Sequence, residues 1–224
     1  MKEVSFYKNL FLKYIAKKNH SLKANKDLSD TNIQPAINYL LSQNSKRIRP
    51  VLMLMFCELY SDVLEECMPA ALSIELLHNF TLVHDDIMDN SKLRRSQETI
   101  YNKWGNNIAI LSGDFLFNEA LSVLQDINDD KKFKKILHII NKSLFELCIG
   151  QDQDLCFENS ENVSMSNYFK MIYNKTASLI KSSILIGSYI GGASIRDMDK
   201  INEIGISLGC IFQLRDDYLD LYGE

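Results

Sequence analysis

The chain has 224 residues, of which 46% are apolar and 24% charged, with a formal net charge of −4 at pH 7. That is long enough for one sizeable domain with a real core, and the balance is that of a soluble globular chain. The negative charge argues against nucleic-acid binding, which normally uses a basic face, but not against a phosphorylated substrate, because metal ions can supply positive charge.

With only nine Gly and three Pro, breakers are too sparse for a loop-rich β fold and long helices are expected. Residues 3–19 have a helical rhythm, and charges scattered through them make a poor signal peptide and a poor membrane span. Asp30 or Thr31 is expected to cap a second helix running to about Leu41. Asn44 to Arg49 is polar and basic, and Pro50 fits the first position of the next helix. Residues 67–89 read as an apolar helix ending in acids, and 90–99 as polar and irregular. Long helical patterns follow at roughly 105–126, 130–158, 164–190 and 197–222, with Asp129 or Asp130 and Ser164 as caps. Segments apolar around much of their circumference are expected at the centre of a bundle. Cys57, Cys67, Cys148, Cys156 and Cys210 form no CxxC pair and read as buried, reduced thiols of a cytoplasmic protein.

The sharpest signal is LLHNFTLVHDDIMDNSKLRR. Asp85 and Asp89 are four residues apart and share one helix face. Two carboxylates on an apolar helix repel each other and are costly to bury. Magnesium, which prefers carboxylates, waters and phosphates, resolves this. Arg94 and Arg95 follow, and guanidinium groups bind phosphate in bidentate fashion. A surface ion-pair cluster is the alternative. IFQLRDDYLDLYGE repeats the geometry with Asp216 and Asp220, Asp217 beside them and Gln213 one turn earlier. In a bundle the two sets can face each other across a cavity. Lys46, Arg47 and Arg49 precede a helix N-terminus, which attracts anions, although in isolation a solvated basic loop is the preferred reading. Lys175 and Thr176 interrupt an apolar helix, where the lysine either snorkels to water or reaches a diphosphate. Gln151 and Asp154 are similar interruptions, with capping or core hydrogen bonds as the plain reading. His78 either donates to phosphate or packs, and His20 and His138 read as surface or core residues.

Taken in order, SKRIRP, HNFTLVHDDIMDNSKLRR, AILSGDFLF, GQDQDL, KTASLI and FQLRDDYLD resemble the trans-isoprenyl diphosphate synthases from about residue 40 onward. The resemblance implies an all-α, single-domain bundle of long helices around a central cavity over residues 1–224. It implies a magnesium-dependent prenyltransferase that condenses isopentenyl diphosphate with an allylic diphosphate. The product would be a short-chain prenyl diphosphate such as geranylgeranyl or farnesyl diphosphate, with diphosphate released. Asp85 and Asp89 would hold two magnesium ions with Asp86 in support, and Asp216 a third, helped by Asp217 and Asp220. Arg94, Lys175 and Gln213 would contact the allylic substrate. Lys46, Arg49, His78 and Arg95, with Arg47 in the same basic run, would grip isopentenyl diphosphate. Thr176 would stabilise the carbocation, and Phe80, five residues before Asp85, resembles the floor that limits product length in short-chain enzymes. A homodimer is also implied.

The chain departs from the family in three places. Asn44 and Ser45 stand where two glycines are usual, and Ser96 where one is usual. The chain also stops at Glu224, short of further helices that the resemblance implies, so a truncated form or a shortened relative is expected. A class I terpene cyclase, a non-catalytic partner subunit and a purely structural bundle are the competing readings. DDYLD and the basic corner disfavour the cyclase, and two metal-type carboxylate pairs disfavour a structural role.

Overall fold

The computed structural model describes residues 2–23, 31–158 and 160–223, with the side chains of residues 19–23 left aside. Asp30 and the His20 side chain lie outside the described residues. The described residues include ten α-helices and a two-stranded ribbon, with a 3-10 turn at Leu64–Cys67: α1 (Val4–Lys23), α2 (Ile33–Ser42), α3 (Ile48–Glu58), α4 (Met68–Met88), β1 (Leu93–Arg94), β2 (Gln97–Glu98), α5 (Ile100–Trp104), α6 (Asn106–Leu124), α7 (Asp130–Glu158), α8 (Met165–Ile172), α9 (Ser178–Gly191) and α10 (Ile195–Tyr222). The all-α class expected from the sequence is what these residues form.

The chain divides into two compact units. An N-terminal unit contains Lys2–Pro50 and Met68–Asp126, and a C-terminal unit contains Val51–Cys67 and Ile127–Glu224. In the N-terminal unit α6 packs along α4, and α2 lies against α5 and α6. Every residue from Met68 to Leu77 is buried, as expected for a helix apolar on all sides. α6 is long and apolar enough to cross a membrane by length and composition alone; its buried residues include Ala109, Leu116, Ala120 and Leu124. In the C-terminal unit α10 packs on α9, and α7 runs beside both α9 and a π-helical turn, Tyr173–Ala177, that joins α8 to α9.

The helix ends follow local chemistry. Asp129 Oδ1 accepts from the backbone N–H groups of Lys131 and Lys132 and so caps α7. Ser164 Oγ accepts from Asn167 N at the start of α8, and Thr99 and Ser194 do the same for α5 and α10. Asn32, not Thr31, stands at the N-cap of α2, with no side-chain cap bond. α3 starts two residues earlier than expected, placing Pro50 in the first turn, where its missing N–H still costs nothing. The irregular stretch expected at 90–99 contains an antiparallel ribbon pairing Leu93 with Glu98 and Arg94 with Gln97. Its turn residues Arg95 and Ser96 have φ of 53° and 62°, the double positive φ of a type I′ hairpin. All five cysteines are free thiols, but only Cys57 and Cys67 are buried; Cys148 and Cys156 are exposed on α7, contrary to the expectation of burial.

Candidate active site

In the N-terminal unit the acids sit where α4 runs out. The helical bond from Asp89 N to Asp85 O, 2.9 Å long, keeps the two carboxylates on successive turns. Asp85 is half-buried and Asp89 exposed. Asp86 points into the unit, where burial raises its pKa and Arg94 partly offsets the rise. The β1 strand carries Arg94 back over this helix end. Its Nε donates to Asp86 Oδ1 at 2.7 Å and its Nη2 to Asp85 Oδ2 at 3.3 Å. Arg94, expected to contact substrate, therefore lies across the acids.

About two turns back along α4, His78 Nε2 is 3.0 Å from Arg49 Nη1. Burial, and then the guanidinium groups of Arg49, Arg95, Arg94 and Arg47, hold its pKa well below the usual histidine value. A neutral imidazole accepting from Arg49 fits that setting. Of these guanidinium groups Arg49 is the one that meets the ring, whereas Arg47 and Arg94 are engaged by Glu75 and by Asp85 and Asp86. Lys46 and Arg95 are exposed. A cleft in the same unit is lined by Ser45, Arg47, Asn79, Asp86, Arg94 and Arg95, among others. Arg47 differs from its neighbours. Its side chain is 5% exposed and its Nη1 donates to Glu75 Oε1 at 2.5 Å, so it turns inward rather than toward an anion at the surface.

Phe80 packs against Phe117 of α6, with ring centroids 5.3 Å apart, and against His84 at 4.8 Å. An aromatic stack therefore forms on α4 below the acids.

In the C-terminal unit Lys175 and Thr176 ride on the π turn, an irregularity frequent at functional sites. Two glycines let helices close on it. A Cβ on Gly150 of α7 would lie 2.2 Å from Lys175 N, and one on Gly209 of α10 would lie 2.4 Å from Ala177 Cα. Lys175 Nζ donates to Asp154 of α7, so Asp154 positions the lysine. Thr176 Oγ1 donates to Gln213 Oε1 at 2.5 Å, and Gln213 Nε2 donates to Asp217 Oδ1 at 2.7 Å. The Tyr168 hydroxyl also donates to Asp217, and burial followed by that carboxylate pushes the tyrosine pKa up. Asp216 is half-buried and Asp220 exposed on the same helix. Gln151 is half-buried, and its Nε2 has no hydrogen-bond partner among the described residues. Sequence reasoning missed Tyr168, Glu75 and Asn79; a lone acid at position 75 in an apolar helix is the signal that could have found the second.

Among the described residues no three His, Cys, Asp or Glu side chains form a ready-made metal cage. The donors nevertheless fit magnesium. Asp85 and Asp89 offer only hard oxygens, and magnesium characteristically takes one or two carboxylates and fills its octahedron with water and phosphate.

A polyprenyl synthetase sequence profile matches residues 30–224. The chain belongs to that family. It is 39% identical over 195 residues to the short chain isoprenyl diphosphate synthase of Methanocaldococcus jannaschii, covering 87% of this chain and 59% of that protein. It is 37% identical over 187 residues to the geranylgeranyl diphosphate synthase of Methanosarcina mazei, covering 83% and 58%. The chain thus spans about three fifths of the length of these relatives. The crystal structure of geranylgeranyl pyrophosphate synthetase from Pyrococcus horikoshii superposes with a TM-score of 0.89 at 34% identity, over 97% of this chain and 68% of that one. A polyprenyl synthase from Caulobacter crescentus, complexed with calcium and isoprenyl diphosphate, superposes with a TM-score of 0.83 at 30% identity, over 97% of this chain and 65% of that one.

Proposed function

We propose that this polyprenyl synthetase chain is a magnesium-dependent short-chain prenyltransferase, joining isopentenyl diphosphate to an allylic diphosphate. The observation that carries the reading is the layout of α4, with carboxylates at its end under Arg94 and His78, in contact with Arg49, further back. Such a helix offers one station for a metal-bound diphosphate and another for a diphosphate held by cations alone. The names of the relatives support the same reading.

Asp85 and Asp89, and in the C-terminal unit Asp216 with Asp217 and Asp220, are the carboxylates that would hold magnesium. Bound there, magnesium would supply positive charge that favours departure of the allylic diphosphate. Arg94, Lys175 and Gln213, whose N–H donors are held by Asp85 and Asp86, by Asp154 and by Asp217, would exchange part of those bonds for the diphosphate oxygens. Lys46, Arg49, His78 and Arg95 would hold isopentenyl diphosphate so that its double bond is in line with the allylic carbon. As the C–O bond breaks, its electron pair leaves with the diphosphate. The isopentenyl double bond then forms the new C–C bond, and a proton is lost to the released diphosphate. The Thr176 hydroxyl commits its hydrogen to Gln213 Oε1, so its lone pairs remain available to a passing cation. The stack of Phe80 and Phe117 gives the growing chain an apolar floor that keeps water away from the cation.

The test is product analysis. The whole chain is incubated with magnesium, labelled isopentenyl diphosphate and, in turn, dimethylallyl, geranyl or farnesyl diphosphate. A labelled prenyl diphosphate that disappears in Asp85→Ala is expected. A well-folded chain that makes no product from any of the three would overturn the proposal.

A further inference from the structure

We infer that Arg47 and Glu75 form a buried positioning pair that sets the basic loop for a non-metal diphosphate, a role resting on the function proposed above. Arg47 lies between Lys46 and Arg49 in sequence yet makes none of the contacts of a surface cation. Its side chain is 5% exposed and that of Glu75 is 4% exposed. Besides the bond to Glu75, Arg47 Nη2 donates to Leu41 O at 3.3 Å. One guanidinium therefore ties the last turn of α2 to the middle of α4, across the loop that leads into α3. Asn79 Nδ2 donates to Glu75 O at 2.7 Å and, at 3.4 Å, to Glu75 Oε1, the same oxygen that accepts from Arg47.

The backbone fits this role. Arg47 has a φ of 52°, a left-handed conformation that costs a non-glycine residue energy and persists only where its surroundings fix it. At this residue the side chain goes inward, while Lys46 before it stays exposed and Arg49 after it meets His78. Glu75 is one turn before His78 on α4, so the anchor and the imidazole that meets Arg49 share one rigid element. A buried ion pair is weak as a source of stability, because desolvation offsets its attraction. What it supplies is geometry, since a guanidinium presents donors in a fixed fork. The loop is also not saturated by its own protein. Ser45 Oγ, Arg47 Nε and Glu75 Oε2 are buried without a hydrogen-bond partner among the described residues.

Two roles for Arg47 make opposite predictions for Glu75→Gln. That change removes a negative charge beside a basic anion site. Were Arg47 itself an anion ligand, the change would release it and binding would hold or tighten. If the pair positions the loop, binding weakens.

The experiment is calorimetric titration of the whole chain with inorganic diphosphate in metal-free buffer, which needs no turnover. The variants are Arg47→Met, Glu75→Gln and the apolar double variant Arg47→Met/Glu75→Met, which remains a folding-competent control if a lone buried charge unfolds a single variant. Each folded variant is expected to bind diphosphate about tenfold more weakly, the lower end of the loss seen when a residue that orients a binding group is removed. In turnover, KM for isopentenyl diphosphate should rise while KM for the allylic substrate stays put, a split that general destabilisation does not produce. Undiminished diphosphate affinity in Glu75→Gln or in the double variant overturns the inference and leaves the proposed activity standing. Absence of diphosphate binding by the unaltered chain overturns it as well, whereas absence of product alone counts only against the proposed activity.

Discussion

The main-chain nitrogen of Lys175 lies 2.2 Å from where a Cβ on Gly150 would sit, and the Lys175 Cα lies 2.6 Å from it. Real Cβ atoms do not approach backbone that closely, so α7 and the π turn meet here only because residue 150 has no side chain. Gly150→Ala must push the turn away from α7, and Lys175 would then be carried off Asp154, its partner on the same helix. Overpacking of this kind costs about 1–3 kcal/mol. A clearly lowered melting temperature is expected, with a loss of turnover in the fraction that remains folded. A variant as stable and active as the parent chain would show that the turn adjusts freely.

Phe80 is the residue on which product length is expected to turn. Its ring rests on Phe117 and beside His84, so shortening it opens space on α4 below the acids without touching them. Phe80→Ala is expected to shift the product toward chains longer by at least one isoprene unit, read by chromatography of the dephosphorylated products. An unchanged product would place the limit elsewhere.

The helices were legible because their apolar runs are long and several ends carry caps, and Asp129 and Ser164 behave as their positions in sequence suggest. The shared face of Asp85 and Asp89 was legible because spacing of four on a helix sets two side chains on successive turns. The π turn was not legible. Its altered hydrogen bonding leaves no pattern in residue type, and only the glycine at 150 hints that backbone passes nearby. Arg47 misled for a related reason. A run of basic residues reads as one solvated face, whereas a single positive φ sends the middle side chain inward to an acid 28 residues away. The β ribbon escaped because its turn uses Arg95 and Ser96 where Asn-Gly or Asp-Gly would announce it.

That turn yields a stability prediction. Ser96 adopts a φ of 62°, where a side chain is crowded by the backbone and glycine is not. Ser96→Gly removes the crowding, while the greater freedom of glycine in the unfolded chain takes part of the gain back. The expected net stabilisation is about 0.5–1 kcal/mol, seen as a small rise in denaturant midpoint at unchanged slope. A fall would mean that the serine side chain contributes more than its conformation costs.

His78 predicts how stability responds to acid. Burial, reinforced by Arg49 and its neighbouring arginines, holds the folded-state pKa well below the ordinary value near 6.5. As pH falls past about 6.5, the unfolded chain takes up a proton on this ring while the folded chain does not. Stability from this residue is therefore complete above that pH and declines as the solution is acidified toward the folded-state pKa. Asp86, whose pKa burial raises, acts with the opposite sign, because a carboxyl that keeps its proton longer in the fold favours the folded state at low pH. Comparison with His78→Gln separates the two, since that variant keeps Asp86 and a polar group facing Arg49. Melting temperatures recorded from about pH 7.5 to about pH 5.5 should fall more steeply in the parent chain than in the variant. Parallel curves would mean that His78 protonates as easily in the fold as out of it, and that it does not accept the Arg49 hydrogen bond as a neutral ring.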